Sequence, residues 1–314
     1  MLYQFLKKIR FYNKYLLFIF PGFGFVCFSA FAQEDITQSR NVTLQVSDKI
    51  ASYGEFYPGE KNKPAILILH GFMLTHNFQT VKRLAEALHD SGYTILTPTL
   101  SLGINKRKMS LSCEAIHTHS LNNDINEINQ WVKWLNLKTG KKIILVGHSA
   151  GSSQIIAYAH HYPDAPIKQL IFLSMPNFGD APNSFATRKD VELAKNTPDK
   201  NELKTFALSY CSKYVTTAKY FMSYYKLSKD NLYQYLKQSP INKTLILGSK
   251  DTRVDKKWNK SLASAKIRII IIEDANHFFD DEYEFDLLDT PLCQHTCRLK
   301  NLVLGDKNGI YPGI

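Results

Sequence analysis

Short apolar runs alternate with amphipathic segments along most of this chain. Runs rich in Ile, Leu and Val predict strands near residues 43–57, 64–70, 93–98, 142–147, 168–174, 243–248 and 267–273. Periodic segments predict helices near residues 78–90, 121–137, 150–162 and 255–264. The second helix has one apolar face, formed by Ile125, Ile128, Val132 and Leu135. Such alternation predicts an α/β fold with a mostly parallel, doubly wound sheet covered on both faces.

The alternation changes between Met175 and Pro240, where two predicted strands are separated by far more residues than a short crossover needs. We interpret residues 176–240 as a helical cap insertion. The segment is rich in aromatic residues: Phe206, Tyr210, Tyr214, Tyr220, Phe221, Tyr224, Tyr225, Tyr233 and Tyr235. Most aromatic side chains on such segments serve packing, but a cap over the strand ends presents some of them to a pocket. An apolar or aromatic acyl pocket is the expectation.

A candidate nucleophile follows the predicted strand at 142–147. The pentapeptide Gly147-His148-Ser149-Ala150-Gly151 has the pattern Gly-x-Ser-x-Gly between an apolar strand and a predicted helix. A sharp strand-to-helix turn of this kind leaves little room two residues before and two residues after the serine, and glycine occupies both positions. The pattern indicates Ser149 as a nucleophile.

A serine nucleophile needs a base to take its proton and a carboxylate to orient that base. Asp251 comes at the carboxyl end of the strand predicted at 243–248, and His277 lies on the loop after the strand at 267–273. Functional groups of α/β sheets collect at the carboxyl ends of strands, and the order Ser, Asp, His is the expected one. Asp255 is the nearest rival for the acid, whereas Asp280 and Asp281 follow the histidine.

Acyl transfer also needs hydrogen-bond donors for the developing oxyanion. The strand at 64–70 runs into His70-Gly71-Phe72. We predict that the backbone amides of Phe72, or of its neighbour Met73, and of Ala150 form the oxyanion hole. His70 is expected to bond loop backbone.

These motifs together resemble the α/β-hydrolase superfamily, on its lipase and esterase side, over about residues 50–280. The resemblance implies an acyl-enzyme mechanism with Ser149, His277 and Asp251 as the triad. It implies no metal and no organic cofactor, and it does not specify the substrate beyond a small-molecule or lipid-like acyl compound. An acyltransferase with the same triad and a non-catalytic binding protein on the same fold are the alternatives.

The first 32 residues have the pattern of a secretory signal peptide. A basic start, with Lys7, Lys8, Arg10 and Lys14, precedes an apolar stretch that ends in Ala30-Phe31-Ala32. We predict cleavage after Ala32, a mature domain at 33–314, and a secreted or periplasmic location. A membrane anchor is the alternative, but the apolar stretch is short and Pro21 and Gly22 interrupt it.

Four cysteines would remain after cleavage: Cys113, Cys211, Cys293 and Cys297. Their even number predicts two disulfides in an oxidising compartment, with three possible pairings. A zinc site is the rival, because His117 and His119 follow Cys113 closely and His295 lies between the last two cysteines. The role of the tail at 290–314 and the oligomeric state stay open.

The net charge of the chain indicates which kind of partner its surface favours. Cleavage would remove four basic residues and lower the formal charge from +11 to +7. A basic surface favours peripheral contact with an anionic membrane surface. The basic residues are scattered and no nucleic-acid motif occurs, so nucleic acid is not an expected partner.

Overall fold

The computed structural model describes residues 38–178, 188–254, 258, 261–262 and 264–280. The predicted signal peptide, the tail at 290–314 and most of the helix predicted at 255–264 lie outside these residues, as do Asp255 and Asp281.

One sheet organises the described part of the chain. Its eight strands follow the order β1-β2-β4-β3-β6-β7-β10-β11. They are β1 (Arg40–Ser47), β2 (Ile50–Tyr57), β3 (Ala65–Leu69), β4 (Thr94–Thr99), β6 (Ile143–His148), β7 (Ile167–Leu173), β10 (Lys243–Gly248) and β11 (Arg268–Ile272). From β4 to β11 all neighbouring strands are parallel, and β1 and β2 are antiparallel to their neighbours. The strand predicted at 43–57 is therefore a hairpin of two strands.

Helices cover both faces of this sheet. They are α1 (Gln79–Asp90) on one face and α2 (Leu121–Thr139) and α3 (Ala150–His161) on the other. Side chains alternate along β3, so that Leu67 and Leu69 join the core with α2 and α3, whereas Ile66 and Ile68 join the core with α1. A strand buried on both faces needs apolar residues at every position, which explains the unbroken Ile and Leu runs. The predicted fold class is confirmed.

The insertion at 176–240 contains strands as well as helices. Its described elements are α4 (Arg188–Asn196), β8 (Leu203–Leu208), β9 (Cys211–Thr217), α5 (Ala218–Tyr225) and α6 (Lys229–Gln238). β8 and β9 form a hairpin, and β9 also pairs with the short strand β5 (Ile116–His117). Val, Thr, Tyr and Phe favour strands in both segments, and pairing with β5 adds a partner that helical spacing did not reveal. Within the described residues, every helix is too short or too polar to cross a bilayer.

Candidate active site

Ser149 occupies a strained turn between β6 and α3. Its backbone has φ 52° and ψ −126°, a conformation that residues other than glycine rarely adopt. A Cβ atom on Gly147 would lie 2.5 Å from the Gly151 carbonyl carbon, and one on Gly151 would lie 2.5 Å from the His70 carbonyl oxygen. Both flanking glycines are required because backbone occupies the space that a side chain would need.

The structure brings Ser149, His277 and Asp251 together. The Ser149 hydroxyl lies 2.9 Å from His277 Nε2. His277 Nδ1 lies 2.9 Å from Asp251 Oδ2 and 3.1 Å from Oδ1. His277 and Asp251 are buried, and Ser149 is half-buried. With the imidazole neutral, Nδ1–H donates a hydrogen bond to the carboxylate and Nε2 accepts one from the serine hydroxyl.

Asp251 is held as an anion beside the imidazole. Burial alone would raise the pKa of the Asp251 carboxyl, but the hydrogen bond and charge of His277, together with a 2.8 Å hydrogen bond from the Arg253 amide, lower it below its ordinary value. Asp280 does not bond the imidazole, because its carboxylate accepts a hydrogen bond from the Asn276 amide group at 2.6 Å. A fixed negative charge is what a protonated His277 would need.

The turn after β3 lies beside Ser149. A Cβ atom on Gly71 would be 3.3 Å from Ser149 Cβ. We call Gly71–Leu74 the oxyanion turn, because it contains the amides predicted to face the substrate. It is closed by a 3.2 Å hydrogen bond from the Leu74 amide to the Gly71 carbonyl. Within the described residues, no hydrogen bond uses the amide of Phe72 or of Ala150. Both amides are therefore without a partner among the described residues.

Two buried histidines support the site without joining the proton path. His70 Nδ1 donates to the Gly71 carbonyl at 2.7 Å, while its Nε2 accepts from the Leu100 amide at 3.1 Å. His148 Nε2 donates to the His277 carbonyl at 3.0 Å and so holds the loop of the base. His148 was missed from sequence because it fills a variable position of the pentapeptide. Its role is visible only from its hydrogen bond to His277, which lies 129 residues further along the chain.

Arg107 is another residue that sequence reasoning did not select. Its buried guanidinium donates to the carbonyls of Leu100 at 2.8 Å, Met73 at 3.3 Å, Met109 at 2.7 Å and Leu74 at 2.8 Å. Burial lowers the pKa of this guanidinium to about 10. Arg107 therefore remains charged at neutral pH and binds backbone of the oxyanion turn.

The cysteine and histidine motif near residue 113 has a structural explanation. Cys113 forms a disulfide with Cys211, so each of these two cysteines has its partner. Cys293 and Cys297 lie outside the described residues. Cys113 is thus not a thiolate ligand. His119 Nδ1 bonds the Asp124 carboxylate at 3.2 Å, and His117 stacks on Tyr214. Among the described residues, no group of three or more metal-ligating side chains is placed to hold a metal ion.

We expect stability to fall as the pH is lowered from 7 to 5. Burial lowers the pKa of His70 and of His148 to about 3, whereas histidine in the unfolded chain titrates near 6.5. Between these pKa values the unfolded chain binds more protons than the folded protein does. For each of the two histidines, the free energy of unfolding therefore falls by about 1.4 kcal/mol per pH unit below 6.5. Urea unfolding at pH 7 and pH 5 measures the difference.

The contribution of one histidine is isolated by comparing variants. His148→Asn should lose less unfolding free energy between pH 7 and pH 5 than the wild type does, by about 2 kcal/mol. His160→Gln, at an exposed position, controls for the removal of a histidine as such. Equal pH dependence in all three proteins would show that His148 does not titrate differently on unfolding.

The fold and the strand-end site together define a class of protein. A family model described as the alpha/beta hydrolase fold matches residues 64–221. This chain therefore belongs to the alpha/beta hydrolase family. No curated protein matches the sequence significantly.

Solved structures share the fold at low sequence identity. Est1E from Butyrivibrio proteoclasticus, solved with ferulic acid, is 18% identical with a TM-score of 0.57, over 78% of this chain and 94% of that one. A monoacylglycerol lipase from Paleococcus ferrophilus is 17% identical with a TM-score of 0.55, over 75% and 95%. The thioesterase domain from the curacin biosynthetic pathway is 14% identical with a TM-score of 0.56, over 80% and 98%. Similarity at these identities concerns the fold.

Proposed function

We propose that this protein is a secreted serine hydrolase that cleaves an ester, thioester or amide through an acyl-enzyme. One observation carries the proposal: Ser149, His277 and Asp251 form a continuous hydrogen-bonded chain at the carboxyl ends of β6, β10 and β11. A serine hydroxyl bonded to an oriented imidazole is an activated nucleophile. Membership of the alpha/beta hydrolase family agrees with this reaction class.

In the first half-reaction, Ser149 Oγ attacks the substrate carbonyl carbon while His277 Nε2 takes the hydroxyl proton. The carbonyl oxygen becomes an oxyanion, to which the amide of Phe72 or of its neighbour Met73 would donate together with the Ala150 amide. His277 then gives the proton to the leaving group, and the carbon–leaving-group bond breaks. Asp251 orients the imidazole and stabilises its protonated form throughout.

In the second half-reaction, a water molecule takes the place of the leaving group. His277 Nε2 removes a proton from this water as it attacks the acyl carbonyl, and the proton returns to Ser149 Oγ when the acyl group departs. An acyltransferase would use another hydroxyl compound in place of water. Product analysis with added alcohols therefore separates the two reactions.

An apolar or aromatic acyl group suits the surroundings of the oxyanion turn. Phe72 packs against Phe178, Tyr210, Tyr214 and Tyr224, with ring centroids 5.6 to 6.1 Å apart. Structures of similar fold include Est1E solved with ferulic acid, a monoacylglycerol lipase and a thioesterase domain. These observations support a small-molecule or lipid-like acyl substrate as the proposed class.

Secretion is proposed on two grounds. The pattern at 1–32 is typical of a signal peptide, and disulfides such as Cys113–Cys211 form and persist in oxidising compartments. The basic net charge is the ground for proposing peripheral contact with an anionic membrane surface.

Covalent labelling tests the proposed nucleophile. The mature protein is treated with an alkyl fluorophosphonate beside Ser149→Ala, and intact mass is measured. We expect one phosphonyl group on the wild type and none on the variant, because only an activated serine displaces fluoride at a useful rate. Hydrolysis of p-nitrophenyl esters of increasing chain length then defines the acyl preference. A folded wild-type protein that neither labels nor hydrolyses any ester would favour the binding-protein alternative.

A further inference from the structure

Besides His70, which binds the Gly71 carbonyl, three groups of the described residues outside the oxyanion turn bind its backbone carbonyls. The Tyr210 hydroxyl donates to the Phe72 carbonyl at 3.2 Å. The Leu111 amide donates to the Met73 carbonyl at 3.1 Å. Arg107 donates to the carbonyls of Met73 and Leu74. The turn is thus bound by the loop that follows β4 and by the β8–β9 hairpin.

The Cys113–Cys211 disulfide joins the loop that follows β4 to the β8–β9 hairpin. Cys113 lies two residues after Leu111, and Cys211 follows Tyr210 directly, although 98 residues separate the two cysteines along the chain. Cys211 is fully buried, and it belongs to the core that contains Phe72. The covalent bond therefore links the Leu111 amide and the Tyr210 hydroxyl, the two donors that bind successive carbonyls of the turn.

The conformation of the turn explains why it needs external support. Met73 has φ 57°, in the left-handed region that costs a residue with a side chain about 1 kcal/mol or more. Such a conformation persists only where surrounding contacts determine it. A trans peptide is planar, so the Phe72 carbonyl and the Met73 amide point in opposite directions. A donor on the Phe72 carbonyl therefore also sets the direction of the Met73 amide, which is the alternative to the Phe72 amide as an oxyanion donor.

We propose that the Cys113–Cys211 disulfide and Tyr210 are positioning elements of the oxyanion hole, which hold the turn Gly71–Leu74 in the conformation that stabilises the transition state. This inference rests on the proposed function. It assigns the disulfide a part in turnover as well as in stability. Loss of the disulfide frees the hairpin from the loop, and loss of the Tyr210 hydroxyl removes its bond to the turn directly.

Kinetics of two variants test the inference: the double variant Cys113→Ser with Cys211→Ser, and Tyr210→Phe. We expect kcat to fall about 10-fold in each with KM within about twofold of the wild type, because oxyanion contacts strengthen only in the transition state. Complete loss of one oxyanion donor costs about 10²-fold to 10³-fold, and a loosened turn should lose less. The rate of fluorophosphonate labelling should fall in parallel, since the phosphoryl oxygen would occupy the same hole.

Tyr210→Phe keeps the experiment decisive if the double cysteine variant does not fold. It removes one hydroxyl and retains the ring that packs against Phe72 at 5.7 Å. Tyr233→Phe is the matched control, because its hydroxyl bonds Ser264 at 3.0 Å on the exposed side of the cap, and its kcat should equal that of the wild type. Unchanged kcat in Tyr210→Phe, or a raised KM alone, would overturn the inference and leave the triad in place. A wild-type protein without labelling or turnover would overturn the proposed function and the inference together.

Discussion

Replacing Ser149 with alanine is expected to lower kcat for ester hydrolysis by about 10⁶-fold while the protein remains folded. Among the described residues, the Ser149 side chain hydrogen-bonds His277 Nε2 alone, and its backbone amide bonds the Leu173 carbonyl at 2.8 Å independently of the hydroxyl. The strained backbone at this position is the same for alanine as for serine. The change therefore removes the nucleophile and little else.

Steady-state kinetics of the purified variant measures the loss of kcat, and circular dichroism measures whether the fold is retained. Ser153→Ala is a suitable control, because Ser153 lies on α3, the helix that follows Ser149, and donates to the Pro176 carbonyl at 2.6 Å. Its activity should stay within a few-fold of the wild type, since a lost neutral hydrogen bond costs about 1 kcal/mol of stability. A folded Ser149→Ala protein that retains wild-type turnover would remove the serine from the mechanism.

Replacing Asp251 with asparagine is expected to lower kcat by about 10⁴-fold with little change in KM. The amide has nearly the size of the carboxylate, but it is neutral and can present an N–H group to His277 Nδ1. The imidazole would then place its proton on Nε2, the atom that must accept the proton of Ser149. The fixed charge that stabilises the protonated imidazole would be lost as well.

Two other aspartates make this prediction specific. Asp280→Asn should be close to the wild type, because the Asp280 carboxylate bonds Asn276 and not the imidazole. Asp255→Asn tests the rival acid of the sequence analysis. If Asp255→Asn caused the large loss and Asp251→Asn did not, Asp255 would replace Asp251 in the proposed triad.

Local sequence patterns were sufficient to predict the sheet and the helices that cover its two faces. The unbroken apolar runs at 64–70 and 142–147 predicted strands buried on both faces, and the structure has β3 and β6 there. The same reasoning failed in the insertion, where Phe206 and Tyr214 were assigned to helical segments but lie on strands β8 and β9. Aromatic residues satisfy either spacing over a few positions, and here β8 pairs with β9, which also pairs with β5.

The residues of the candidate site also divide into those that the sequence indicated and those that it did not. Ser149, Asp251 and His277 were found because each ends a predicted strand and parallel strands end at one edge of a sheet. His148 and Arg107 were not found, because a residue that bonds backbone carbonyls leaves no motif in the sequence. The partners of His148 and Ser149 on the His277 loop lie 129 and 128 residues away along the chain.

The sequence by itself determined the alternation of strands and helices, the turn geometry at Ser149 and the order of the three candidate catalytic residues, because these depend on periodicity and on residue size over short distances. Only the tertiary structure decided which cysteine pairs with Cys113, which carboxylate reaches His277 and which groups bind the oxyanion turn. Many long-range pairings are compatible with the same local pattern. The choice among them is made by burial and by hydrogen bonding of the packed chain, where an unpaired polar group costs about 1–3 kcal/mol.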